Sequence, residues 1–290
     1  NTQMNGDQLD YFKNLKNLET LILASNNISA IEKISTLTSL TKLDISVNTS
    51  FTDFSQVTSF NKLKELNVSG TGITTFEGIK SLANLEKLYA ADNKEISSSG
   101  IDPIFEINYD ETEKPYLGNI KVLNLSSLGT NGNRPSISFY NISYLTTLEE
   151  LHLASNEIED ISGITNLINL KYLDLKYNNL TKDSIANLIN TDDENDENDE
   201  GEKSETLKAE KIDLRGNNIN NISVLAKYPA DIKWLDLSEN NIYDISPIAK
   251  HSCSKSLGET LYLQDQDITF GLHNKTADVD HYIILPTIFT

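Results

Sequence analysis

Residues 173–180 read LDLKYNNL and residues 235–242 read LDLSENNI. Both fit the pattern L-x-L-x-x-N-x-[IL]. In an extended segment successive side chains alternate between faces, so Leu173 and Leu175 share one side while Asp174 and Lys176 share the other. Two leucines and an asparagine make no core by themselves. The pattern therefore asks for copies, and the chain supplies them. It recurs from Leu21, Leu43, Leu66, Leu88, Leu123, Leu151, Ile212 and Leu261, which with the two quoted stretches makes ten copies. The steps 21 to 43, 66 to 88 and 151 to 173 are 22 residues, and 43 to 66 and 212 to 235 are 23. The step 235 to 261 is 26, and three steps are much longer: 88 to 123, 123 to 151 and 173 to 212.

The physical reading of one copy is a short strand with its leucines inward, joined by an apolar residue three positions earlier (Leu18, Leu40, Leu148). After the asparagine, apolar residues recur every third position, as in Ile28, Ile31 and Ile34, which suits extended or 3₁₀ backbone returning along the far side. Stacked copies bury one continuous core beneath parallel strands about 4.8 Å apart. Asn26, Asn48, Asn93, Asn156, Asn178, Asn217 and Asn240 stand where the chain leaves the strand; a buried amide there satisfies backbone groups of its own turn and of the neighbouring coil. Gln266 approximates the asparagine and Thr71 does part of its work. Leu128 cannot, so the turn after 125 is expected to be irregular.

This is the leucine-rich-repeat pattern. The 22-residue length, NNIYDISPI (240–248) and EDISGITNL (159–167) resemble the internalin family of bacterial surface proteins. At the C-terminus YLQDQDITF (262–270) followed by YIILPTIF (282–289) is similar to the passage where internalin repeats give way to an immunoglobulin-like strand. The resemblance implies an α/β, β-rich leucine-rich-repeat solenoid: a right-handed curved horseshoe of about ten repeats, with a parallel sheet on the concave face and a C-terminal flanking strand. It places the repeat domain at 1–268 and a cap, or the start of an immunoglobulin-like region, at 269–290. Two features depart from the family. Insertions interrupt the repeats near 97–116, 129–137 and 186–206. In place of a helical N-terminal cap, MNGDQLDYFKNL (4–15) reads as the back half of an earlier repeat, with Leu9 and Phe12 standing where Ile31 and Ile34 stand one copy later.

Within the insertions, Ser97–Ser99 are expected to cap a short helix carrying Ile101, Ile104, Phe105 and Ile107, and GTNGNRPSIS reads as a polar loop, giving an irregular ridge between about 95 and 140. A helix is expected over 182–190 with Thr181 as its cap and Ile185 and Leu188 facing the core. The acidic run TDDENDENDEGE (191–202) follows. Its segment DENDEG, Asp196 to Gly201, matches part of a calcium-loop pattern, but Leu207 stands where a bidentate glutamate belongs. The run is read as a solvated, mobile loop.

Composition narrows the function. The net charge is −19, of which the acidic run supplies 8, and this argues against nucleic acid and anionic membrane as partners. One cysteine, Cys253, permits no internal disulfide and no thiolate cluster. No apolar run approaches the roughly 20 residues of a membrane span, so no membrane insertion is expected. No secretory leader opens the chain and Asn1 is not an initiator methionine, which reads as an excised or processed fragment. His152, His251, His273 and His281 are not spaced as metal ligands, and the motifs of zinc peptidases, phosphate loops and serine hydrolases are missing. The chain is read as no enzyme, with no catalytic residues, metal or cofactor.

A binding surface is legible instead. Side chains between the core leucines form columns across the repeats on the concave face. The column inside L-x-L includes Tyr89, His152, Asp174, Asp213, Asp236 and Tyr262; the column before it includes Tyr172, Lys211 and Trp234. Three consecutive aspartates repel, and Lys176, Arg215 and Lys211 are near enough to offset this. Tyrosine, tryptophan and arginine anchor interfaces. The expected partner-binding set is Tyr89, His152, Tyr172, Asp174, Tyr177, Asp213, Arg215, Trp234, Asp236 and Tyr262, taking a protein or glycan ligand on a monomer. The family resemblance implies a secreted or cell-surface bacterial protein acting in adhesion or host interaction. The alternatives are an intracellular scaffold, similar to the 22-residue-repeat regulators of protein phosphatase, and a purely structural surface-layer protein.

Overall fold

A computed structural model of the 290-residue chain describes residues 3–109, 114–130, 132–189, 207–228, 231–250 and 261–266. The acidic run, its calcium-like segment, Cys253, His251, His273, His281 and the expected flanking strand lie outside the described residues. The chain forms two compact units, Asn1–Asn156 and Glu157–Thr290.

The first unit carries strands β1 (Thr20–Ile22), β2 (Lys42–Asp44), β3 (Glu65–Asn67) and β4 (Lys87–Tyr89), a two-residue pair β5 (Ile107–Asn108) and β6 (Lys114–Pro115), then β7 (Val122–Asn124) and β8 (Glu150–His152). Its six repeat strands are parallel and hold one register, Leu21 beside Leu43, Leu66, Leu88, Leu123 and Leu151. The second unit repeats the arrangement with β9 (Tyr172–Asp174), β10 (Lys211–Asp213), β11 (Trp234–Asp236) and β12 (Leu261–Tyr262), where Leu173, Ile212, Leu235 and Leu261 align. The long steps 88 to 123 and 173 to 212 leave the register untouched, as expected when extra residues lengthen a loop rather than a strand.

Opposite the strands the chain returns in short 3₁₀ turns, among them Glu32–Ile34, Phe54–Val57, Ile79–Ser81, Ile164–Asn166 and Ser223–Lys227. Three residues per turn put every third side chain on one side, and Ile28, Ile31, Ile34, Leu37 and Leu40 are all fully buried. The N-terminal segment stacks as the expected half repeat: Asn5 bridges Asn27, and Leu9 is fully buried.

The asparagines do the work their position called for. Asn217 accepts from Leu180 N at 3.0 Å and its amide donates to Leu175 O at 3.0 Å and Leu214 O at 2.9 Å. Asn48, Asn156 and Asn240 bond in the same way, and Gln266 reaches Leu237 O, Leu263 O and Ile242 N. Thr71 supplies only a hydroxyl, 2.9 Å from Val68 O.

The turn after Leu125 corrects the expectation of irregularity. Ser127 has φ +57, and the corresponding residues of the other nine copies are also left-handed: Ser25, Val47, Gly70, Asp92, Ser155, Tyr177, Gly216, Glu239 and Asp265. Leu128 N donates to Asn156 as its equivalents do, while the leucine side chain fills the core. The turn tolerates the leucine because the carbonyls concerned keep a donor: Ala90 O receives Asn93 and Leu125 O receives Asn156. Where both neighbours are asparagines, such carbonyls receive two amides, as Leu23 O does from Asn26 and Asn48.

The described parts of the insertions send apolar residues into the core. Helix α1 (Ser98–Ile101) is capped by Ser97, which accepts from Gly100 N, and a 3₁₀ turn, Asp102–Phe105, follows; Ile101, Ile104 and Phe105 are buried. Ile107 departs from the expectation: it lies half-exposed in β5, antiparallel to β6. Helix α2 is Phe139–Ile142 and α3 is Lys182–Ala186. The latter begins as expected, with Thr181 and Ser184 closing a capping box and Ile185 and Leu188 fully buried, but it ends at Ala186 rather than 190, with Asn187 as its C-cap. A fourth short helix, α4, spans Ser246–Lys250. No helix among the described residues is long and apolar enough to cross a membrane.

Candidate functional site

The strand face of the second unit carries most of the expected partner-binding residues. Because β9, β10 and β11 share one register, Tyr172, Lys211 and Trp234 form one column and Asp174, Asp213 and Asp236 the next, which Tyr262 of β12 continues.

The aspartate column is less open than its sequence position implies. Asp174 is 4% exposed and Asp213 5%. Each turns a carboxylate oxygen back to the N–H two residues on, Asp174 to Lys176 at 3.2 Å and Asp213 to Arg215 at 3.1 Å. Asp236 does the same for Ser238, and in the first unit Asp44, Asn67 and Asn124 do it for Ser46, Ser69 and Ser126. These are Asx turns, which satisfy the donor left over where the strand bends. The Asp/Asn preference at this position was visible in the sequence and carries a structural role there.

Electrostatics follow from the burial. Lys176 bridges the two covered carboxylates, 3.0 Å from Asp174 and 3.7 Å from Asp213. Burial pushes the Asp213 carboxyl up to about 6; the Arg215 N–H opposes this, Asp174 adds to it, Lys176 lowers it and Asp236 raises it. Arg215 does not serve the aspartates directly. Its guanidinium is engaged by Glu239, a partner the sequence reading missed, and lies 5.5 Å from the centre of the Tyr177 ring. Tyr177 is 42% exposed, and its ring passes so close to Gly216 that a Cβ there would sit 2.3 Å from a ring carbon.

The aromatic residues form a continuous ridge. Tyr172 and Trp234 meet edge to face, centroids 6.4 Å apart at 83°, and Trp234 and Tyr262 are 5.9 Å apart at 55°. Tyr172 and Trp234 are half-buried, Tyr262 is 39% exposed, and Lys211 stands exposed in register between Tyr172 and Trp234.

The two remaining expected residues lie on the first unit's strand face. Tyr89 is half-buried beside Asn67 and Asn124; burial raises its phenol, and Glu65 and Glu150 add to this. His152 stands two strands further along, 3.5 Å from Glu150. A third cluster went unread: Tyr109, Tyr140 and Tyr144, which are 74%, 68% and 36% exposed, with the last two in edge-to-face contact at 5.5 Å. The i, i+4 spacing of the two tyrosines in FYNISY was its signal.

A polar depression of about 770 Å³ in the second unit is lined by Glu159, Asp160, Asn179, Asp183, Asn187 and Asn218 among others. Two of its carboxylates are occupied, Asp160 by Ser162 and Asp183 by Lys182. Among the described residues no group of histidine, cysteine, aspartate and glutamate is arranged to hold a metal ion.

Comparison with known proteins agrees with this architecture. The family model for leucine-rich repeats (two copies) matches residues 16–59 and 146–190. No curated protein sequence matches the chain significantly. Among solved structures, an internalin from Listeria monocytogenes is similar at 22% identity and a TM-score of 0.58, covering 89% of this chain and 70% of that one. Internalin C2 from Listeria monocytogenes is similar at 21% identity and 0.52, covering 85% and 80%. The ectodomain of the plant receptor kinase GASSHO1/SCHENGEN3 from Arabidopsis thaliana, solved in complex with Casparian strip integrity factor 2, is similar at 17% identity and 0.52, covering 89% and 31%. Such folds are interaction scaffolds rather than catalytic ones. The chain carries leucine-rich repeats, and its fold is a leucine-rich-repeat solenoid resembling that of the internalins.

Proposed function

We propose that the chain is the non-catalytic binding module of a secreted or surface-exposed bacterial protein, and that it engages a protein partner through the strand face of its second unit, in adhesion or host interaction. The observation that carries this reading is the ridge Tyr172–Trp234–Tyr262, which places the sole tryptophan on the solvent side of the sheet instead of in the core. Large amphipathic rings held in mutual contact lose little conformational freedom on binding, which is why such residues dominate interface energies. The covered aspartates Asp174 and Asp213 hold the strand exits below the ridge, while Arg215 and Tyr177 border it. In this reading the repeat domain extends over 1–268 and the chain acts as a monomer, with 269–290 as a cap or the beginning of a further domain.

The test is a binding screen of the purified chain against a panel of purified host-surface and extracellular-matrix proteins, run beside Trp234→Ala and Tyr172→Ala. The expected result is a partner whose affinity drops by about 2 kcal/mol or more in each variant, with a melting temperature close to that of the parent. A large loss of stability, or a partner indifferent to both substitutions, overturns the reading.

A further inference from the structure

Asp236 differs from the two aspartates beside it. Asp174 and Asp213 are covered and share Lys176. Asp236 is only half-buried, its Oδ1 takes the Ser238 N–H at 2.9 Å, and among the described residues it is not placed in an ion pair. Arg215, the cation whose charge reaches it, is held by Glu239.

Its position makes that carboxylate accessible between two rings. Trp234 lies two residues earlier on β11 and therefore on the same face. Tyr262 lies directly across from Asp236 in the register of β11 and β12. The two rings are 5.9 Å apart and tilted by 55°, and Tyr172 closes the far edge of the tryptophan. We propose that Trp234, Asp236 and Tyr262 form a seat for a basic side chain, arginine or lysine, projecting from the protein partner.

Three arguments support a cation over an anion or a purely apolar group. A cation over an indole or phenol face is attracted by the ring quadrupole. The carboxylate supplies a charge-assisted hydrogen bond on the same side, and the planar guanidinium fits both demands at once. Among the described residues, β9 to β11 and the turns that follow them hold four carboxylates (Asp174, Asp213, Asp236 and Glu239) against three cations (Lys176, Lys211 and Arg215) on this face, and Asp265 follows β12, on a chain of net charge −19. An anionic group arriving there meets this excess of negative charge.

The inference rests on the strand-face reading above, and the experiment separates the two. Trp234 is the sole tryptophan, so its fluorescence reports this site alone. The full chain is titrated at about 0.15 M salt, where long-range attraction is screened, with a peptide of six arginines spaced by glycine and with its glutamate counterpart. The expected result is a saturable change in emission with the arginine peptide only. Asp236→Asn should weaken that binding about tenfold with an unchanged melting temperature, because an amide oxygen still accepts the Ser238 N–H, as Asn67 and Asn124 do for their own turns. Equal responses to the two peptides, or an Asp236→Asn variant that binds like the parent, overturn the inference. A protein partner that needs Trp234 but not Asp236 overturns the cation seat and leaves the strand-face reading standing.

Discussion

Asp213→Asn is expected to stabilise the protein at neutral pH and to do little at acid pH. The carboxyl of Asp213 is 5% exposed and its pKa is pushed up from 3.8 to about 6, first by burial. The folded chain thus holds the proton more tightly than the unfolded chain does. The stability linked to that proton is fully present below about 3.8 and is lost as the pH rises through about 6. Above pH 6 the ionised group is a net burden. The rise from 3.8 to about 6 corresponds to an effect on the order of 1–3 kcal/mol. An asparagine removes the charge and keeps the acceptor for the Arg215 N–H, a role that Asn67 and Asn124 already fill in the same column. Urea denaturation of parent and variant at about pH 3 and pH 7.5, on either side of the window from 3.8 to about 6, checks this. The variant should gain on the order of 1–3 kcal/mol at pH 7.5 and little at pH 3. A gain equal at both pH values would refute the burial argument. A loss at pH 7.5 would show that the Lys176 bridge outweighs desolvation.

Other substitutions probe the backbone logic of the repeat. Asn217→Ala removes the buried acceptor of Leu180 N, while Leu175 O and Leu214 O keep Asn178 and Asn240 as donors; chemical denaturation should show a loss of about 2 kcal/mol, most of it from the stranded N–H. Gly216→Ala places a methyl against the Tyr177 ring at φ +65 and should lower stability by roughly 1–3 kcal/mol, with Tyr177→Ala in the same chain recovering the steric part but not the backbone strain. Deleting residues 191–204 shortens the connection between β9 and β10 and should leave circular dichroism and the melting temperature nearly unchanged if that segment only closes a loop, since loop length enters stability only logarithmically; loss of the cooperative transition would mean that the acidic run is part of the fold.

The repeat was legible because its physics is local and periodic. Alternation of faces in LDL, the apolar residue every third position in the return and a polar amide at the strand exit each leave a mark in a 22-residue window, and ten copies reinforce one another. Strand positions, the asparagine ladder and the identity of the face-lining residues follow from that pattern; the helices after Ser97 and Thr181 follow from local capping signals instead. The left-handed turn does not. Two of its ten positions are glycine, and residues as unsuited to φ > 0 as Val47 and Tyr177 occupy others. They adopt it because their N–H groups are captured by the next repeat, Val47 by Ser69 O and Tyr177 by Arg215 O, so the conformation is imposed by stacking.

The binding face divides in the same way. The sequence by itself determined which residues line the strands, because side-chain direction in a strand depends only on parity. It could not rank them by exposure or by partner. Asp174 and Asp236 occupy equivalent positions two strands apart, yet one is covered and bridged by Lys176 while the other is half-open between Trp234 and Tyr262. That difference arises across the strands: Lys176 reaches from beside Asp174 to Asp213 on the next strand and ties the two carboxylates together, whereas Asp236 faces Tyr262 of β12. Only the tertiary structure decided it, because these neighbours come from strands more than twenty residues away in the chain.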